Sequence, residues 1–258
     1  MKSFSFRILF LVKNILLFFT KKKVRFIFLN KQNLFKVKEK NQTHHFCSIK
    51  RGFEHYNRGL IHRGNEIAIS YGINKIEFNK NDTVIDCGAN VGDLFLYLRD
   101  KINHSNFLSV EPSSLEFEAL VLNTPNAKSL NIALADKDGE SEFFVSNRKA
   151  DSSLIEPKRF TEKITVKTTT IDSLYKNYDL TNIKLFKLEA EGFEPEILEG
   201  AKNSIKNIHY IAIDGGYERG IKQEETFTKL TNLLIENGFS IIFVNFKFGR
   251  ALFINNHF

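Results

Sequence analysis

The stretch Val84-Ile85-Asp86-Cys87-Gly88-Ala89-Asn90-Val91-Gly92-Asp93 decides how the chain is read. A short β-branched run ends in an acid, two glycines stand four residues apart, and a helical pattern follows. That is a buried strand running into a tight turn and then a helix. Gly88 lets the backbone approach a ligand closely, and Gly92 lets the helix begin tight against the sheet. The unpaired N–H groups at the helix start favour a carboxylate or another anion. A dinucleotide fingerprint would need glycine at 88, 90 and 93; Asn90 and Asp93 occupy two of those positions, which disfavours a nicotinamide cofactor.

Outward from this loop, β-branched runs alternate with helical patterns from residue 82 onward, as in a parallel sheet covered on both faces. Strands are predicted over 83–86, 107–110, 130–134, 184–188, 208–213 and 240–244. Helices are predicted over 92–101 and 225–236, and over 113–120, where Ser113 and Glu116 form a capping box. Asp136-Lys137-Asp138-Gly139 is a turn, followed by two inserted strands over 142–145 and 164–170. After the turn Phe246-Lys247-Phe248-Gly249-Arg250, a strand over 251–254 must return antiparallel, because the connection is too short for a crossover. The fold class is therefore α/β: a doubly wound, mostly parallel, Rossmann-like seven-stranded sheet. It occupies 76–258, preceded by a linker and pre-domain helical segment over 30–75 and an amphipathic basic arm over 1–29.

Asp86 stands at the carboxyl end of its strand, where ligands bind in such sheets, and can hold an ammonium group. Glu111 ends the second strand 19 residues after Gly92, placed to accept hydrogen bonds from both hydroxyls of a ribose. An Asp-x-Gly-x-Asn-x-Gly loop, a ribose acid and a terminal hairpin together point to S-adenosyl-L-methionine (SAM). Asp86, Gly88, Asn90, Gly92, Glu111 and Ser113 are the expected cofactor-binding residues.

Charge separates the chain into two parts. The formal net charge is +7, from 37 Lys and Arg against 30 Asp and Glu. Residues 1–75 hold 16 basic and 3 acidic side chains, whereas the rest hold 21 and 27. The presumptive core would repel a phosphate backbone, so nucleic acid is not the expected partner. Gly215-Gly216-Tyr217 stands where amino-directed DNA methyltransferases carry Pro-Pro-Tyr, which argues the same way. Cys47 and Cys87 are too few for a disulfide framework or a metal knuckle, in keeping with a reducing, cytoplasmic setting. Residues 4–19 are apolar but interrupted by Arg7 and Lys13, and too short to span a bilayer. Wound as a helix, Phe4, Ile8, Leu11, Val12, Ile15, Leu16, Phe18 and Phe19 share one side, and Lys21, Lys22, Lys23 and Arg25 follow. That pattern suits the interface of an anionic membrane, placing the protein peripherally on its inner face. Packing on the protein's own core is the alternative.

The chain resembles the FkbM family of methyltransferases over roughly its last three quarters. The resemblance rests on Asp82-Thr-Val-Ile-Asp-Cys-Gly-Ala-Asn-Val-Gly92, Val110-Glu-Pro-Ser113, Ala133-Leu-Ala-Asp-Lys-Asp-Gly139 and Lys187-Leu-Glu-Ala-Glu-Gly-Phe-Glu194, with Glu196, Leu198 and Gly200. It implies the methyltransferase fold, SAM as donor and methylation of an oxygen, often on sugars or secondary metabolites. The family usually has Asp where this chain has Glu189. The segment Tyr56-Asn57-Arg58-Gly59-Leu60-Ile61-His62-Arg63-Gly64 resembles the stretch preceding the family's first strand, which implies a cover over the site.

A hydroxyl acceptor needs a base or a metal beside it. Lys187, Glu189 and Glu191 alternate along an extended stretch and project to one side, and Asp214 ends the neighbouring strand. Glu189 or Asp214 is the expected base. Alternatively these acids hold a divalent cation with Glu191, or Lys187 simply neutralises Glu189. The expected reaction is O-methylation of a sugar, polysaccharide or lipid-linked glycan. N-methylation with the same cofactor, or a methyltransferase-like module that only binds, are the competing readings.

Overall fold

The computed structural model describes residues 2–29, 34–146, 152–181 and 183–258; the side chains of Lys2, Ser3 and Phe4 and residues 30–33 of the expected linker lie outside what it describes. The chain opens with helix α1 (Lys2–Phe19) and a meander of β1 (Val24–Phe28), β2 (Phe35–Glu39) and β3 (Gln42–Phe46), followed by α2 (Ile49–His55) and α3 (Leu60–Ser70). The main sheet begins with β4 (Thr83–Cys87), α4 (Phe95–Leu98), β5 (Phe107–Val110), α5 (Ser114–Asn123) and β6 (Lys128–Leu130). An insertion holds β7 (Ala133–Leu134), β8 (Gly139–Val145) and β9 (Glu162–Thr169). Then come α6 (Ile171–Asn177), β10 (Ile183–Leu188), α7 (Glu194–Glu199) and β11 (Ile208–Asp214), and the short hairpin β12 (Tyr217–Arg219) and β13 (Glu224–Glu225). Helix α8 (Phe227–Glu236), β14 (Phe239–Asn245) and β15 (Arg250–Asn255) complete the chain.

The seven-stranded sheet runs β14-β15-β11-β10-β4-β5-β6, and β15 is antiparallel to both its neighbours while the others are parallel. Successive side chains of a strand point to opposite faces. Here both faces are covered, so the strands read as continuous apolar runs. Leu108, Ile85, Phe186, Ile211 and Phe253 stand side by side in register across five strands and pack on α6, α7 and α8. Val84, Phe107, Leu185, Ala212 and Leu252 face the other way, onto α3 and α4. Burying each larger side chain in these rows contributes roughly 1.5–3 kcal/mol relative to exposure.

Several local expectations differ from the structure. The third strand pairs only over Lys128–Leu130, and Ala133–Leu134 leaves to pair with β9. The first helix shrinks to Phe95–Leu98 after irregular turns. Ser113 opens α5, but its hydroxyl donates to the Glu116 carboxylate rather than capping a backbone N–H. Residues 35–46, read from sequence as irregular linker, form β2 and β3. Their alternation is carried by Phe35, Val37, His44 and Phe46, and a buried histidine does not register as apolar. Helix α3, which precedes the expected domain start, lies against the main sheet through Ala68.

Candidate active site

Side chains from β4, β5, β10 and β11 converge at the carboxyl edge of the sheet, where the strand order reverses between β4 and β10. The register sets Asp86 beside Lys187 and Asp214 beside Arg250. Lys187 Nζ lies 3.1 Å from Asp86 Oδ1 and 2.7 Å from Glu189 Oε2, and donates to the carbonyls of Cys87 and Gly88 at 3.2 and 3.0 Å. Arg250 Nε donates to Asp214 Oδ2 at 2.6 Å, and Nη2 stands 3.5 Å from Glu189 Oε1. Arg250 Nη1 donates to Ser70 Oγ at 2.7 Å, and its guanidinium lies 4.3 Å from the centre of the Tyr71 ring. The Tyr71 hydroxyl donates to Asp214 Oδ2 at 3.3 Å. Charge thus alternates from Asp86 through Lys187, Glu189 and Arg250 to Asp214.

This alternation sets the protonation states. Burial alone would raise the Glu189 carboxyl, but Lys187 and Arg250 overcome it and hold it at about 2. Burial raises Asp214, helped by the nearby Glu189 charge and opposed by Arg250. Asp86 is likewise pushed up by burial against the pull of Lys187. Lys187 stays charged because the two carboxylates outweigh its own desolvation.

The glycine loop packs against this row. Gly88 has φ +66, and a Cβ there would meet the Glu189 carbonyl oxygen at 2.0 Å, so the turn admits no side chain. Asn90 adopts φ +50, a left-handed conformation that Asn tolerates better than other non-glycine residues. Glu111 closes the loop from β5: Oε2 accepts from the Asn90 N–H at 2.8 Å and Oε1 from the Ser113 N–H at 2.9 Å. Burial pushes its carboxyl up to about 7, against those two donors. A cavity of about 640 Å³ opens over the loop. Its walls include Asp86, Gly88, Asn90, Glu111, Ser113, Glu189 and Glu191, together with Arg51 and His55 of α2, Ile67 and Ser70 on α3, and Asn245, Phe248 and Arg250 of the terminal hairpin.

Asp93, which stood in the sequence only as the missing third glycine, has a constructive place. Its Oδ1 accepts from Tyr56 OH at 2.6 Å and meets His44 Nε2 at 3.0 Å, and its Oδ2 accepts from Arg63 Nε at 2.7 Å. Burial would raise this carboxyl, but Arg63 and the other donors hold it well below the usual range. β3, α2 and α3 are thereby tied to the residue directly after the loop.

Five of the six expected cofactor residues line the cavity; Gly92, φ +87, sits behind the loop, where a Cβ would meet Leu120 and Thr124. Glu189 and Glu191 also line it. Asp214 is 2% exposed, lies behind Arg250 and is not part of the wall. In the alternative reading these acids share a divalent cation; in the structure Lys187 and Arg250 stand between them. Among the described residues no group of three or more His, Cys, Asp or Glu is placed to hold a metal ion. Sequence reasoning missed Arg250, Tyr71 and the Asp93 partners. The pairing of β11 with β15 could have nominated Arg250 through its place opposite Asp214.

A profile of the Methyltransferase FkbM domain matches residues 86–241, more than half of the chain and all of the loop, the Glu111 corner and the Lys187–Glu194 block. The chain belongs to the FkbM methyltransferase family. This FkbM methyltransferase is also similar to the hexuronic acid methyltransferase AglP of Haloferax volcanii, 25% identical over 143 residues, or 54% of this chain and 57% of that protein. It thus spans little more than half of that relative's length. Among solved structures it is similar to the fibrillarin pre-rRNA processing protein of Methanococcus jannaschii (11% identity, TM-score 0.46, 90% of this chain and 97% of that one). It is also similar to magnesium protoporphyrin IX methyltransferase from Synechocystis PCC 6803 (10% identity, TM-score 0.42, 81% of this chain and 86% of that one).

The donor set of this FkbM-family chain suits SAM. Asp86 Oδ1 is ion-paired with Lys187 at 3.1 Å but accepts no well-directed hydrogen bond among the described residues, because the ammonium directs its donors to Glu189 and two carbonyls. A buried acceptor in that state suits an incoming ammonium. Each Glu111 oxygen accepts one backbone N–H and keeps a lone pair for a ribose hydroxyl.

Proposed function

We propose that this enzyme methylates an oxygen of a sugar, carried on a polysaccharide or a lipid-linked glycan that is presented at the inner face of a membrane. The carrying observation is the composite cavity: one wall is the glycine loop with Asp86 and Glu111, and the other is built from α2, α3 and the terminal hairpin. A cavity of this size, with a few convergent polar groups, suits a small ligand beside a cofactor. The similarity to a hexuronic acid methyltransferase supports a sugar as acceptor.

Asp86, Gly88, Asn90, Gly92, Glu111 and Ser113 form the cofactor end. Bound SAM supplies an electrophilic methyl group on a sulfonium. Glu189 lines the cavity between Lys187 and Arg250, and we assign it to the acceptor end. Lys187 and Arg250 keep it ionised and lower its basicity, which disfavours it as the base that strips a sugar hydroxyl. It accepts the hydroxyl hydrogen bond instead and aims an oxygen lone pair, so its contribution is orientation. Glu189 and Glu191 are the carboxylates on the cavity wall that would take up the proton released by the acceptor hydroxyl. Asp214 holds Arg250, which holds Glu189, and so acts one step removed.

The test is to incubate the enzyme with methyl-labelled SAM and a membrane glycolipid extract. Label in a carbohydrate fraction, released from sugar oxygens, supports the reading. Label on amines would replace it with N-methylation, and cofactor binding without label in any fraction would favour a module that only binds.

A further inference from the structure

Helix α1 has two apolar faces, and the folded chain uses one. At 3.6 residues per turn, Phe6, Phe10, Lys13, Asn14 and Leu17 fall on one side. Phe10 and Leu17 are 3% and 6% exposed, and the Phe10 ring packs against Phe28, Phe35 and Phe53 with centroids 5.9, 5.5 and 5.1 Å away. Asn14 locks this docking: its amide donates to the Phe26 carbonyl and accepts from the Phe26 N–H, both at 2.8 Å. The helix is therefore seated on the β1–β3 sheet in one orientation.

That orientation turns the larger apolar face outward. Ile8, Leu11, Val12, Ile15 and Leu16 are 46–60% exposed, and Phe18 and Phe19 reach 78% and 77%. They cover roughly half of the helix circumference. Contiguous apolar surface on that scale marks a contact site. The charge beside it selects the contact. No Asp or Glu precedes Glu39, and exposed Lys21, Lys22, Lys23 and Arg25 follow the helix directly. An apolar helix face bordered by unopposed cations complements an anionic lipid surface, into which apolar side chains sink while the ammonium groups stay at the headgroups. Among the described residues no helix is long and apolar enough to cross a membrane, so the contact is in-plane.

We infer that the outward face of α1 is an anionic-membrane docking surface, presented by the β1–β3 sheet rather than by a free arm. This deepens the proposed membrane-presented acceptor. The sheet that seats α1 also supplies His44 to Asp93 beside the cofactor loop, so docking would place the cavity at a set position relative to the lipid.

The experiment is co-sedimentation of the full chain with vesicles of phosphatidylcholine alone and of phosphatidylcholine mixed with phosphatidylglycerol. Compared are the wild type, a triple variant Leu11→Asn, Leu16→Asn, Phe19→Asn, and a triple variant Lys21→Gln, Lys22→Gln, Lys23→Gln. The expected result is preferential binding to the anionic vesicles, weakened on the order of tenfold or more in the first variant. In the second it should weaken several-fold with loss of salt sensitivity. SAM titration of each variant verifies folding, and because it needs neither lipid nor acceptor it separates failure of this inference from failure of the methyltransferase reading. Wild type that binds SAM but stays in solution with both vesicles would overturn the inference. So would variants that bind lipid as well as wild type, or a first variant that only converts a dimer to a monomer.

Discussion

The glycine loop and the N-terminal module meet at Asp93, yet they are held together by different physics. The loop between β4 and α4 is made by backbone: positive φ at Gly88, Asn90 and Gly92, and a clearance at Gly88 that excludes even a methyl group. The module from α1 to β3 is made by side chains. Phe10, Phe26, Phe35 and Phe46 bury against one another, and Leu96 of α4 joins the same cluster. A backbone device is written in consecutive residues, whereas a ring cluster depends on which distant residues come together. The loop should therefore fail locally when disturbed, and the module should fail through global stability.

The largest expected effect tests the module. Phe26→Ala removes a ring that is 1% exposed and should cost about 3–5 kcal/mol in urea unfolding. A cost below about 1 kcal/mol would mean the module is an appendage and the contrast is wrong. Next is Gly88→Ala, which sets a Cβ against the Glu189 carbonyl. Strain of about 1–3 kcal/mol at that turn should weaken SAM binding by tenfold to a hundredfold in calorimetry. Its unfolding midpoint should move much less than that of Phe26→Ala.

Asp93→Asn probes the joint and should cost about 2–3 kcal/mol, since it leaves the Arg63 guanidinium without its charge partner. The pH signature has a definite sign. Asp93 titrates below its unfolded value in the folded chain, so its contribution is present above about pH 4 and is lost as pH falls towards the folded value. The variant should lack that component of acid sensitivity.

Glu111 should show the opposite sign and the smallest effect. Its folded carboxyl is raised to about 7, so its contribution is complete below its unfolded value near 4.5 and is lost as pH rises through 7. Ribose hydroxyls donate to the ionised form, so SAM affinity should rise by about fivefold between pH 6 and 7, reach about tenfold by pH 8 and level off above. Calorimetry across that range checks it, and Glu111→Gln should flatten the profile.

Much of this was legible in the primary structure, and the exceptions have a common cause. Asp86, Gly88, Asn90 and Glu111 could be placed because a strand, a turn and a strand end are local objects with characteristic spacing. Lys187 and Glu189 were visible as alternate residues of one strand, but their partners were not. Arg250 reaches Glu189 from 61 residues away, and only the antiparallel seat of β15 beside β11 brings it there. Strands β2 and β3 were missed because Lys36, Lys38, Thr43 and His45 dilute their alternation, and because His44 is buried through its contact with Asp93. The larger apolar side of α1 is legible in the residue pattern, but the side that docks carries Lys13 and Asn14, whose polarity gives no sign of burial.

The residue order alone therefore determines the doubly wound sheet, the antiparallel last strand and the glycine loop, because periodicity, glycine spacing and short connections act over a few residues at a time. Tertiary structure alone decides that Lys187 and Arg250 share the space among the acids, that Asp93 ties the module to the loop, and that α1 turns its larger apolar face outward. Each of those depends on which long-range partner buries a group first, and a polar or charged side chain counts as core only after its partner has arrived.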